Sequence, residues 1–493
     1  MTPPNAAPPR LLVADHVAGS IRVLSLPDGR ETGRIEGRSL AEHAGFLALP
    51  GGRTAFVDDL AGELVVLDPY GPDTGRPLIA ATAPVATPAE HLAADPSGRL
   101  LAVSTGLGRN EEAWSDLLTA VDLAGPGRPR STRVRTRAGE PGVTLLGPAA
   151  RKARTSTSGP NDPDRANDPD GTNDPGDPGS PGGSNGPNGP GAREAPDALV
   201  VLRHREPGSL TAYRHADLLT AAPSCPPAAP VRDLPLPDHD GHGDAHDPVT
   251  GRLFAAAGSG VHRARRAGSG LVAEESLSWG GPGRGYFLRL DPVRRMLWSC
   301  VRGGPADPGR WPEWTNDAWW HLLDPPASEA ATSGHSPIGG VALEHSAGAR
   351  NAPRAPGRVG RVPLGPGLVF RLAVAARHIA FARVHPDGDE LVLVAAEPGG
   401  TPRVAGRLPL PAMAGAPRAG GTPWDGVQRR AIAASPGGDL VAVSRGGHGE
   451  IHLVDAARAE PVTTLRLPTP LDEGGHLALV RPGDGAELDP VGR

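Results

Sequence analysis

The sequence predicts an all-β fold: a β-propeller of seven or eight four-stranded blades whose ring is closed by pairing its N- and C-terminal strands. Three observations predict it. Gly and Pro together fill about a quarter of the 493 positions, which suits a chain of many short strands and turns and argues against long helices. Short apolar strands recur in units of about 40 to 50 residues, the size of a propeller blade. Each end of the chain carries the part of a unit that the other end lacks.

The repeated element is a hairpin. HAGFLALPGGRTAFVDD (43–59), HLAADPSGRLLAVSTG (91–106), GDAHDPVTGRLFAAAG (243–258), YFLRLDPVRRMLWSCV (286–301), IAFARVHPDGDELVLVAAE (379–397) and AIAASPGGDLVAVSRG (431–446) share one plan. An apolar strand is followed by Pro, which fixes φ, and in most cases by a Gly that supplies the positive φ of a tight reversal. A third strand and the start of a fourth follow in GSIRVLSLPDGRETGRI (19–35), GELVVLDPYGPDTGRPLIA (62–80), DLLTAVDLAGPGRPRSTRV (116–134) and GEIHLVDAARAEPVTTLRLP (449–468). Unit starts fall near 43, 91, 142, 243, 285, 379, 430 and 476, and the weak match at 142 leaves seven and eight blades both open. The last start has one strand before the chain ends, whereas RLLVADHVAGSIRVLSL (10–26) supplies strands without a first partner, so joining them in one blade removes two sheet edges.

Two segments interrupt the repeat. The stretch 151–196 is almost free of apolar residues and cannot bury enough surface to offset its backbone entropy, so disorder is expected there. The stretch 345–366 has a similar Gly, Pro and Arg content and is expected to be loop-rich, and residues 1–9 are expected to be a disordered N-terminus. The rest, within 10–493, reads as a single domain.

Composition excludes several function classes. A formal net charge of −5 with scattered basic residues gives no footprint for nucleic acid. Lys152 is the only lysine and lies in the low-complexity insert, which removes a phosphate-binding GxxxxGK loop and lysine-based covalent catalysis. Cys225 and Cys300 are too few for a disulfide framework and lack CxxC spacing. With no apolar stretch near 18 residues and no signal-peptide pattern at the start, no membrane contact and a cytoplasmic location are expected.

The third-strand pattern of 449–468, with the DPSG and HPDG hairpins, resembles the repeat of YVTN-type (YncE-like) propellers, with WD40-like propellers close behind. The Tyr-Val-Thr-Asn tetrad itself is absent. What the resemblance implies is a ring with a central channel and a face that binds a ligand or a protein, without implying a reaction. Lactonase-type propellers share an HPDG-like hairpin, here His385-Pro386-Asp387-Gly388; because the same turn recurs as DPSG and SPGG, it reads as structural.

Three sets of candidate residues emerge. A His or Arg stands at the entrance to the first strand of several units: His43, His91, His242, Arg284, His378, Arg430 and His476. First strands line a propeller channel, so these groups would meet at one mouth and attract acidic ligands. The segment 237–248 gathers three His and four Asp, including His242, Asp244 and His246, but lacks the spacing of a metal motif, and no metal or other cofactor is expected. Four of the eight Trp, Trp311, Trp314, Trp319 and Trp320, fall within ten positions and would suit partner contact if exposed on the rim. The sequence thus favours a non-enzymatic platform binding a protein or small ligand. The alternative is a lactonase- or hydrolase-type enzyme using His242, Asp244, His246, Arg284 and His378.

Overall fold

A computed structural model describes residues 7–108, 112–124, 128–137, 142–147, 198–238, 243–268, 270–324, 358–397 and 400–484. The expected insert 151–196 and His242 lie outside these residues.

The chain forms eight antiparallel blades, so the unit beginning at 142 is real. Blade 1 joins the two ends: His476–Val480 is its inner strand, and Arg10–Asp15, Ser20–Ser25 and Glu31–Glu36 lie outside it. The closing register runs from Arg10 opposite Val480 to Ala14 opposite His476. Tyr70 of the next blade donates its hydroxyl to the Val480 carbonyl at 3.1 Å and the Pro8 carbonyl at 3.2 Å. Residues 7–9, assigned from sequence to a disordered terminus, are therefore held in place through the carbonyl of Pro8 and through that of Pro9, which accepts from the Leu26 amide.

The inner strands of blades 2 to 5 are Leu47–Leu49, Ala89–Ala94, Gly142–Leu146 and Asp244–Asp247. In blade 6 the inner strand is broken into Arg284–Gly285 and Arg289–Asp291, both paired to Met296–Gly303. Blades 7 and 8 begin with Leu368–Val374 and Ile432–Ala434. The outermost strands are the most exposed, Glu31–Glu36 alternating with solvent, whereas Arg10–Asp15 and Ser20–Ser25 are buried throughout. Middle strands are covered on both faces because each sheet is packed between two others, and so they read as nearly continuous apolar runs. Separate apolar clusters fill every seam around the ring, for example Leu49, Val57, Leu92 and Val103 between blades 2 and 3, and Leu11, Val13, Leu453 and Leu477 between blades 8 and 1.

The recurrent Asp-Pro turns have a local cause. Asp95 accepts from the amides of Arg99 (2.9 Å) and Leu100 (2.8 Å), and Asp291 accepts from that of Arg294 at 3.0 Å, so each carboxylate folds its own turn. Gly98 completes the first of these at φ +65°, a conformation that L side chains resist, and a Cβ there would lie 2.5 Å from Pro50.

Two expectations are corrected. Val359–Pro366 is the outer strand of blade 6 rather than part of a loop-rich segment; its Gly, Pro and Arg content suits an exposed edge that carries a register shift opposite Asn316 and Asp317. The unit placed near 379 begins one strand earlier, at Leu368, so His378–Val384 is a second strand. Its turn, Ala375-Ala376-Arg377, contains neither Pro nor Gly, and nothing in the sequence marks the reversal.

Candidate functional site

All inner strands start on one face of the ring, here called the upper face, and end on the other. Connections between blades and turns between second and third strands share the upper face; turns between first and second strands lie below. This geometry sorts the candidate residues.

His476 begins the inner strand of blade 1 and is buried. Its Nε2 lies 2.9 Å from the Glu42 carbonyl, which can only accept, so Nε2 carries the proton. Its Nδ1 lies 3.0 Å from Nε2 of His16, on the second-to-third-strand turn of the same blade. Burial first, and then the charges of Arg371 and His16, push His476 well below the usual imidazole range. It is neutral, and its Nδ1 accepts the His16 N–H. His43 stands exposed on the neighbouring connection, with Nδ1 2.8 Å from Glu90 Oε2. His91 lies within the inner strand of blade 3, buried.

The remaining entrance residues do not join this group. Arg430 is buried in the seam between blades 7 and 8, with Nε 2.8 Å from Asp389 Oδ2 and further bonds to the Ser444 and Pro411 carbonyls. It ties two blades together and is not a mouth residue. Arg284 is exposed on the upper face and lies 5.4 Å from the centre of the Tyr286 ring. His378 starts a second strand, so it sits on the lower face, one strand length (about 20 Å for seven residues) from the level of Asp244 and Arg284.

Asp244 accepts a hydrogen bond from the Thr144 hydroxyl, linking the inner strands of blades 4 and 5. His246, two residues on, is pushed down to about 4 by burial, against a small opposing effect of Asp247. Asp247 itself is gripped by Arg295 and Thr250; these bonds outweigh the burial that would raise it and hold it below the usual carboxylate range. Of the described members of the proposed catalytic set, Asp244 and His246 are neighbours on one inner strand, Arg284 stands on the upper face of the next blade, and His378 lies below, away from all three. Among the described residues no three His, Cys, Asp or Glu side chains gather as a metal-binding group.

The four clustered Trp do not form a contact surface, because all are buried. Trp311 donates to the Arg418 carbonyl at 3.1 Å and Trp314 to that of Pro305 at 2.8 Å, with Trp314 stacked on Trp424. Trp319 meets Trp279 edge to face in the seam between blades 5 and 6, and Trp320 fills the seam between blades 6 and 7. The tryptophan that does face solvent is Trp114, 53% exposed on the upper face, with Leu60 and Val17 also exposed on upper turns of blades 2 and 1.

The structure adds residues that the sequence reading missed. Arg371 lies in the inner strand of blade 7 at a register shift between Val369 and Leu372. Arg289 belongs to the inner strand of blade 6, and Arg429 precedes that of blade 8. Burial, then the positive charges of Arg429 and Arg289, bring Arg371 down to about 10. Its other charged neighbours are Glu473 and Glu42. Groups contributed by blades 6, 8 and 1 and by the connection into blade 2 can all act on one guanidinium only if it lies near the ring axis.

No family model matches this chain, and no curated relative matches it. Among solved structures it is similar to apo AztD from Citrobacter koseri, at 12% identity, TM-score 0.54, and coverage of 97% of this chain and 99% of that one. A second AztD structure from the same organism aligns at 12% identity and TM-score 0.54, over 96% and 98% of the two chains. The Pseudomonas aeruginosa periplasmic gluconolactonase PpgL aligns at 14% identity and TM-score 0.44, over 96% and 99%. At these identities the two AztD alignments show a shared fold alone and nothing about activity.

Proposed function

We propose that this chain is a non-enzymatic binding platform of YVTN-type (YncE-like) build, working in the cytoplasm, that holds a small ligand at the upper mouth of its channel. The observation that carries this reading is the separation of the acid–base candidates. General acid–base chemistry needs its groups within hydrogen-bond reach of one reacting site, whereas Asp244 and His378 lie at opposite ends of the strands. The upper mouth is the better provided end, with Arg429, His16, His43 and His476 supplied there and Arg371 farther down the inner strand of blade 7. The unpaired thiols Cys225 and Cys300 support the cytoplasmic assignment.

The competing reading is a hydrolase, and His246, half-buried in an inner strand and held neutral by its surroundings, is the feature that favours it. One experiment separates the two. The full chain is equilibrated with a pool of cell metabolites, freed of excess by gel filtration, denatured, and its retained molecules identified by mass spectrometry. A near-stoichiometric ligand, weakened by His16→Ala, is expected. Retention of nothing, together with lactone or ester hydrolysis that His246→Ala abolishes, would replace this reading with the enzymatic one.

A further inference from the structure

We infer that the axial guanidinium of Arg371 is the anchor of an oxyanion site, and that the ligand held at the channel mouth presents a carboxylate or phosphate group to it. The inference rests on the binding reading above and specifies its chemistry.

Three observations on geometry carry it. Arg371 makes no hydrogen bond or ion pair among the described residues, although a guanidinium has five N–H donors to satisfy. The register shift in its strand, between Val369 and Leu372, places Arg371 with Phe370 in an irregularity of an otherwise apolar run, LVFRLAV, and a bulge is a common device for re-aiming a residue toward a site. Its charged surroundings are mixed, Arg429 and Arg289 outweighing Glu473 and Glu42. Arg429 has a buried Nε with no partner, and its NH1 lies 3.3 Å from Glu473, while the charge of Arg289 in the neighbouring blade 6 also acts on Arg371.

A half-buried arginine with no bond among the described residues and with two more arginines acting on it is unfavourable on its own. Buried arginines in the blade seams can be matched by a carboxylate, as Arg430 is by Asp389 and Arg294 by Asp291. Arg371, without such a match, lies where a ligand has access. A planar guanidinium fork suits a carboxylate or phosphate, which it can bind through two parallel bonds, and a channel with low-dielectric walls strengthens the attraction. Glu42 and Glu473 limit the site to a compact group, since a ligand with charge spread over a large surface would meet them.

The test uses the full chain, with sodium succinate and inorganic phosphate as probes, titrated calorimetrically against chloride of matched ionic strength. At least one oxyanion is expected to bind, with Kd weakened tenfold or more in both Arg371→Met and Arg371→Gln. Succinate binding alone assigns a carboxylate, and phosphate binding alone a phosphate. Both variants should melt no lower than the wild type when no oxyanion is present. Equal binding by wild type and variants, binding of neither probe, or a large fall in melting temperature in both variants would overturn the inference. A retained metabolite without an anionic group, held equally by Arg371→Met, would overturn this inference while leaving the binding platform standing. Lactone hydrolysis lost in His246→Ala would instead overturn the platform.

Discussion

Arg430 and Arg371 come from adjacent blades and show what separates the seams of this ring from its channel. In the seam, Arg430 is satisfied on all sides by Asp389 and two backbone carbonyls, and its side chain is 1% exposed. In the channel, Arg371 has no such partner, and its nearest guanidinium neighbours repel it. Charge that is matched within the protein serves the architecture. Charge left unmatched at the axis is available to something that is not part of the protein.

The sharpest way to break this comparison is at the seam. Arg430→Met strands the Asp389 carboxylate in a buried site and should cost about 3 to 5 kcal/mol in urea denaturation; a cost below about 1 kcal/mol would mean that the seam does not depend on the pair. Trp319→Ala opens a cavity against Trp279 and should cost about 3 kcal/mol or more by the same measurement, with any capture of ligand unchanged in variants that remain folded. The third test is pH. Burial holds His321 at about 4, so the folded protein disfavours its proton. The stability it contributes is complete above the unfolded value of about 6.5, falls as pH drops through that value, and is lost by about pH 4, roughly 3 kcal/mol in all. His321→Gln should flatten this part of a stability–pH curve; an unchanged curve would show that the imidazole is not held neutral. Arg371→Met should shift stability by less than about 1 kcal/mol, and upward, because it removes an unmatched charge. The smallest effect belongs to Trp114→Ser on the upper rim, expected within about 0.5 kcal/mol of wild type; a larger loss would show that its ring packs.

Much of this architecture was legible in the sequence because its cues are local. Asp95 and Asp291 fold their own turns, and the Pro after each fixes the bend, so the hairpins stand out by eye. Closure was readable from the incomplete units at 10–26 and 474–488. The missing cue in blade 7 had consequences. With no Pro or Gly at 375–377, the sequence reads His378 as a channel residue, whereas it begins a second strand on the lower face. The same missing cue hides Arg371, a lone charge within the apolar run LVFRLAV, because nothing local marks that run as an inner strand. The tryptophans failed for a different reason. Trp319 and Trp320 are consecutive in a strand and point to opposite faces, which in most sheets would expose one of them. Here blades cover both faces, and that is a property of the ring that local sequence cannot express.

The most direct test of the account is a structure of the full chain determined with succinate or phosphate present. An oxyanion bridging the Arg371 guanidinium at the axis, with Arg430 still bound to Asp389, is the predicted result. Arg371 folded back onto Glu42 or Glu473, with the oxyanion bound elsewhere, would contradict it.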